Sequence, residues 1–292
     1  EDGKLAYGGI QPEMKDALAD LQKLYAEGVI DPEFGVKDAV KVSENVNAGK
    51  VGMFYGYFWN CSSGWLQDGK MNDPSIDWIA VPILSIDDEP AKAMVPFATT
   101  YYTVVSKDCA NPEAAVKMYN LVLEKMFGET AQPEVYNSTP ENLAVFNYAY
   151  SYGEPPMKNL DAQQAVVAAL ESGDASGLSA EQKNYYDNCV AYEESGDLAL
   201  WGNYMMYGPD GGLGVINEYV SSGNVVTDNY FGAPTDGMAE KNATLQKLQL
   251  ETFTKIITGS ADVDEFDTYV ENWKSLGGQQ ITDEVNEWLA QR

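Results

Sequence analysis

Five aromatic side chains crowd around one glycine. Tyr55, Tyr57, Phe58, Trp59 and Trp65 surround Gly56, directly after the apolar run 51–55. A strand buries alternate side chains, so consecutive aromatics just past its end cannot all face one core. Some of them are expected to be exposed or to line a cleft. Sugars present flat C–H faces that stack on aromatic rings while their hydroxyls bond polar neighbours, so such a cluster suits a carbohydrate. Ordinary core and hinge packing is the competing reading for each ring taken singly. Tyr101 and Tyr102, after Thr99 and Thr100, make a second aromatic group.

Other chemistries have weaker footing. Glycoside hydrolysis needs two carboxyls roughly 5–10 Å apart, and with 45 acidic residues some pair meets that spacing by chance. Asp262, Asp264 and Asp267 lack the glycine and closing glutamate of a calcium loop, and read better as acids at a helix N-terminus. The glycine-rich stretch 208–214 is followed by no Lys-Ser/Thr, so it fails as a phosphate cradle. Histidine is absent altogether, which removes Ser-His-Asp and Cys-His nucleophiles and the commonest zinc ligand. Cys61, Cys109 and Cys189 form no CxxC, and an odd count argues against a disulfide framework. The expectation is a binding protein and not an enzyme, with no catalytic residue, metal or cofactor.

Charge narrows the ligand. With 45 acidic against 18 basic residues in 292, the net charge of −27 repels nucleic acid and anionic lipid. Arg292 is the only arginine, which disfavours anionic ligands and favours a neutral one. A peptide- or other solute-binding module is the alternative, and it would want charged anchors for chain termini; a carbohydrate-active hydrolase is a remoter one. No signal peptide, lipobox-like cysteine or apolar run near the ~20 residues of a membrane span is present, and the opening at Glu1-Asp2-Gly3 reads as a processed piece of a longer protein.

Helices must position these groups. Pro12, the spacing of Met14, Leu18, Leu21 and Tyr25, and Gly28 predict a first helix. Strands are expected at 51–55, 78–84 and 102–106, and less clearly at 91–95. Asn111-Pro112-Glu113 opens another helix, and 140–222 reads as helix and turn with a capping box at Ser179 and Gln182. Three helices follow Pro234, with Trp273 and Trp288 expected in the core. The class is α/β, rich in helix.

Three stretches carry a resemblance. "GGIQPEMKDALADLQKLYAEGVIDPEF" with "NAGKVGMFYG", "WIAVPIL" with "TYYTVVSKDCANPEAAVKMYNLVLE", and the closing "GAPTDGMAEKNATLQKLQLETFTKIITGSADVDEFDTYVENWKSLGGQQITDEVNEWL" together resemble the extracellular solute-binding proteins typified by maltose-binding protein. The likeness is greatest to their large lipoprotein branch in Gram-positive bacteria. It implies a type II periplasmic-binding-protein-like, two-lobed fold that closes on its ligand and then docks with an ABC permease. It implies a lipid-anchored, extracellular full-length protein whose first two-fifths or so, anchor included, lie outside this chain. Residues 1–98 and 230–292 would build the C-terminal lobe, and 99–229 the hinge crossover and a helical part of the other lobe. That lobe's central sheet would then be missing, leaving open edges that a swapped or rearranged dimer would satisfy. The family's sugar-stacking tryptophan follows Gly-Pro; here Gly56-Tyr57-Phe58-Trp59 departs from that, with Phe58 at the matching position and Trp59 beside it. Tyr57, Trp65, Tyr101 and Thr235, at the start of a late helix, are further expected ligand contacts.

Overall fold

The computed structural model describes residues 3–62, 64–96, 99, 101–137, 144–149 and 151–292. They form two compact units: one from 1–39 together with 228–292, the other from 40–227. The lobe segments expected above divide the chain at other points, because compactness here groups residues by what they pack on within these 292. The expected boundary at 98, and with it Thr100 and Pro140, falls outside the described residues.

The first unit is helical. Helix α1 (Pro12–Ala26) starts as the sequence predicts, with Pro12 at its first turn where a missing N–H costs nothing. It presents Leu18 to a core of Leu245, Ile256, Phe266, Tyr269 and Trp273, supplied by α10 (Asp236–Ile257) and α11 (Glu265–Trp273). Helix α12 (Gln279–Ala290) adds Ile281 and Val285. Between α11 and α12 the chain makes a π turn over Lys274–Gly278, made possible by Gly277 at φ 126°. Asp262, Asp264 and Asp267 lie at the start of α11; Asp264 and Asp267 both accept from Lys15 at 2.8 Å. They are exposed, so the pair contributes little to stability. Residues far apart in sequence close the unit: the Leu5 N–H donates to Asn286 Oδ1 at 2.9 Å, and Asn286 Nδ2 donates back to the Leu5 carbonyl at 2.9 Å.

The second unit holds α2 (Ala39–Asn47), α3 (Leu66–Asn72), α4 (Glu113–Phe127), α5 (Pro133–Tyr136), α6 (Lys158–Ser172), α7 (Ala180–Ser195), α8 (Leu198–Tyr207) and α9 (Gly212–Ser222). Helix α4 begins one residue beyond the expected Asn-Pro start. The capping box of α7 forms as predicted, with Ser179 N–H donating to Gln182 Oε1 at 2.9 Å and Gln182 N–H to Ser179 Oγ at 3.3 Å. One core gathers Ala162, Val166, Cys189, Tyr207 and Leu213; another gathers Val46, Cys61, Leu66 and Trp201. A half-buried polar cluster staples the helices: Glu181 accepts from Lys158 at 2.7 Å, Tyr185 at 2.8 Å and Asn137 at 2.9 Å.

The strand expectations are corrected here. Only 91–95 contains a strand, β1 (Ala93–Val95), paired in parallel with β2 (Val225–Thr227) in the register Ala93 to Val225. Segments 51–55, 78–84 and 102–106 run without a ladder among the described residues. Their β propensity is real, but a strand exists only with a neighbour to bond, and none is supplied among the described residues. The class is nonetheless α/β with mostly helix, as expected.

Gly277→Ala should destabilise the first unit by about 1–2 kcal/mol, since a side chain is strained at that φ and its Cβ would sit 2.7 Å from Lys241 Cγ. Urea denaturation followed by circular dichroism would measure it.

Candidate functional site

The aromatic cluster is built on a tight turn. Residues Phe58–Cys61 form one turn of 3-10 helix, locked by Asn60. That side chain is buried, and its Oδ1 accepts from the Tyr57 N–H at 2.6 Å, while the Asn60 N–H donates to the Tyr57 carbonyl at 2.9 Å. Ser62 Oγ donates to the Trp59 carbonyl at 2.7 Å and closes the far side. Gly56 is required by close approach: a Cβ there would lie 2.6 Å from the Phe54 ring and 2.9 Å from Asn60 Oδ1.

This turn divides the rings. Phe58 packs inward against the Ala162–Val166–Leu213 core. Tyr57 and Trp59 point outward, 68% and 49% exposed, and stack on one another with centroids 4.3 Å apart and planes 10° from parallel. Phe58 meets Trp59 edge-on at 5.0 Å. Each outward ring therefore lays one face on its partner. A flat, apolar, fixed surface of this kind can accept a sugar face or another planar group.

Trp65 belongs to a neighbouring set. It stacks on Phe54 at 5.9 Å, and Phe54 meets Trp78 edge-on at 5.9 Å; Phe54 and Trp78 lie against the Val46–Leu66–Trp201 core. The Trp78 indole N–H is buried and lacks a hydrogen-bond partner among the described residues. Tyr101 stands with Tyr152, edge-on at 6.2 Å, and is itself exposed. Thr235 lies in the other unit, where it caps α10: its Oγ1 accepts from the Met238 N–H at 3.2 Å and its hydroxyl bonds Glu284. Trp273 is buried as expected, whereas Trp288 is half-buried and lines a shallow cavity of about 440 Å³ with Phe231 and Arg292. The guanidinium carbon of Arg292 sits 4.3 Å from the Trp288 ring centroid and 4.4 Å from that of Phe231.

Sequence reasoning missed Asn60, Phe54 and Trp78. The signal was there for Asn60, three residues after Tyr57 where a short amide can cap a turn. Burial pushes the Cys61 thiol up to about 11 and the Cys189 thiol up to about 12. Among the described residues no group of three His, Cys, Asp or Glu is placed to hold a metal, and no helix is long and apolar enough to cross a membrane.

Comparison with known proteins finds distant relatives. The chain is 26% identical over 277 residues to an "Uncharacterized protein in butB 5'region" of Niallia circulans, covering 93% of this chain and 97% of that one. It is 25% identical over 296 residues to "Lipoprotein LipO" of Bacillus subtilis, covering 98% of this chain but 53% of LipO. The chain thus spans about half the length of the lipoprotein it matches. No family model and no solved structure matches.

Trp78→Phe should change stability by less than about 1 kcal/mol, because removing an unpaired buried donor offsets the lost ring area, while Phe54→Ala should cost about 2–3 kcal/mol; equilibrium denaturation compares them. Thr235→Ala should cost about 1 kcal/mol of helix capping. The same change should weaken the acid sensitivity of the fold. The Thr235 hydroxyl is the largest influence holding the Glu284 carboxyl below its ordinary value. Its contribution is complete above the unfolded glutamate pKa and is lost as pH falls through the lower folded one. Melting temperatures from pH 7 down to pH 3 would read the difference.

Proposed function

We propose that this chain is the ligand-capturing part of an extracellular solute-binding lipoprotein that delivers a carbohydrate to an ABC permease. The observation that carries the reading is the Tyr57–Trp59 pair: two exposed, mutually stacked rings on a turn that side-chain hydrogen bonds hold rigid. Exposed aromatic area costs solvation, and a protein retains it in a fixed orientation where it has something to cover it. The distant likeness to a protein named as a lipoprotein supports anchorage at the outer surface of a cell. Strong acidity and a single arginine support a neutral ligand.

In this reading the protein makes and breaks no bond. It takes the two-lobed fold that the family resemblance implies, a sugar face lies on Trp59 or Tyr57, and hydroxyls bond polar groups around the cleft. Closure of the lobes over the ligand reports occupancy to the permease, which requires the ligand to favour the closed state.

The test is calorimetric titration of a panel of oligosaccharides, with amino acids and peptides as controls, against the protein and its Trp59→Ala variant. An oligosaccharide should bind, and the variant should bind it about tenfold more weakly. Heat from peptides alone would overturn the carbohydrate assignment. Consumption of the sugar during the titration, followed by chromatography, would overturn the assignment as a binding protein.

A further inference from the structure

Helix α12 leads into an aromatic corner. Phe231 and Trp288 meet with planes at 90° and centroids 5.1 Å apart, and the guanidinium carbon of Arg292 lies 4.4 Å and 4.3 Å from those centroids. The Arg292 N–H donates to the Leu289 carbonyl at 3.2 Å, which carries the last helical turn up to the arginine. Phe231 reaches the corner from a turn in which Asp228 Oδ1 accepts from the Tyr230 N–H at 2.9 Å. Leu5, tied to Asn286 through both its backbone groups, supplies a further wall. Contact with two rings restricts the guanidinium, yet among the described residues its N–H groups make no hydrogen bond or ion pair.

Arginine on an aromatic ring is an ordinary surface contact, met about once in 70–80 residues, and a cation just past a helix end answers the helix dipole. Neither accounts for the surroundings. Lys4 lines the same cavity as Arg292, and no aspartate or glutamate does, in a chain where acids outnumber bases 45 to 18. At about 440 Å³ the cavity has the size of a small-molecule site. Two cations beside the apolar walls of Leu5, Phe231, Trp288 and Leu289 fit a ligand with one anionic group and an apolar body.

We propose that this cavity binds an organic monocarboxylate, whose carboxylate accepts from Arg292 and faces the charge of Lys4 while its apolar body lies on the aromatic corner. A planar guanidinium meets a carboxylate at two points, which a lysine cannot do. Carboxylate is favoured over phosphate because a net charge of −27 repels a dianion twice as strongly as a monoanion. Screening over about 8 Å at physiological salt lets the cations in the cavity outweigh acids elsewhere on the surface. The site lies in the first unit, whereas Tyr57 and Trp59 belong to the second, so this assignment and the carbohydrate reading stand or fall separately.

Calorimetric titration with phenylacetate and with hexanoate tests it, each beside the alcohol of the same skeleton, 2-phenylethanol or 1-hexanol. At least one acid should bind with a Kd of about 1 mM or tighter, and its alcohol about tenfold more weakly. The arm that binds tells whether the apolar body is a ring or an aliphatic chain. Arg292→Gln, which keeps donors and loses the charge, should weaken the acid about tenfold; Arg292→Lys, which keeps the charge and loses the fork, about threefold. Arg292 is exposed, so both variants should fold, and circular dichroism checks that they do. The chain holds one arginine, so its Nε–H gives a single side-chain signal in proton–nitrogen correlation spectra, and that signal should shift on saturation with the acid. Three results would overturn the proposal: no heat from either acid, equal affinity for an acid and its alcohol, or binding that leaves the arginine signal in place. Inorganic phosphate binding more tightly than both acids would overturn the choice of carboxylate.

Discussion

Adjacent aromatic residues can be shared between a core and solvent only if the backbone turns sharply between them. In this protein the hydrogen bond from the Tyr57 N–H to the buried Asn60 carbonyl oxygen imposes that turn. It needs Gly56 before it, because any side chain there meets the Phe54 ring and Asn60 itself. With the turn in place, Phe58 is committed to the core of α6, α8 and α9, and Tyr57 and Trp59 are left outside as a stacked pair. The anchoring of the inner ring is what makes the outer two a fixed surface. Fixity matters energetically, since a ring that need not be ordered on binding keeps more of its stacking energy as affinity.

The surrounding unit reinforces this fixity with polar as well as apolar contacts. Glu181 is shared by Lys158, Tyr185 and Asn137, so α6, α7 and the end of α5 are tied through one carboxylate. Burial is the largest influence raising the Tyr185 and Tyr207 hydroxyls, which also stack at 3.8 Å. Breaking such a network leaves a largely desolvated charge without its partner, which is costlier than never having had the pair. It specifies one arrangement of helices by penalising others.

Helices were legible in the sequence because their signals are local. Pro12, the i, i+4, i+7 spacing of Met14, Leu18 and Leu21, and Gly28 lie within seventeen residues, and α1 forms between them. The capping box at Ser179 and Gln182 spans four residues and forms as read. Strands were not legible in the same way. Segments 51–55, 78–84 and 102–106 have the residue types of strands, but pairing is decided by what lies beside them in space. At the candidate site the sequence showed that consecutive aromatics must diverge, and not which would turn outward; a buried amide three residues on decides that. Thr235 was read as a ligand contact at a helix start, and its hydroxyl is engaged by that very start and by Glu284.

The unit that contains both ends of the chain is discontinuous: its first part ends at residue 39 and its second begins at 228. Leu5 bonds Asn286 across 281 positions, and α1 has its principal core partners in α10 and α11. During synthesis at roughly 5–20 residues per second, the first segment waits on the order of ten seconds or more for those helices to be made. Until then Leu18 and its neighbours have only part of an apolar face to hide, and an isolated helix of that length is marginal. A loop that long must close before any native contact of α1 rewards it, which makes assembly of this unit the slow, high-contact-order step of folding. Such a layout leaves the segment that ends at residue 39 without its core until the segment that begins at 228 has been made.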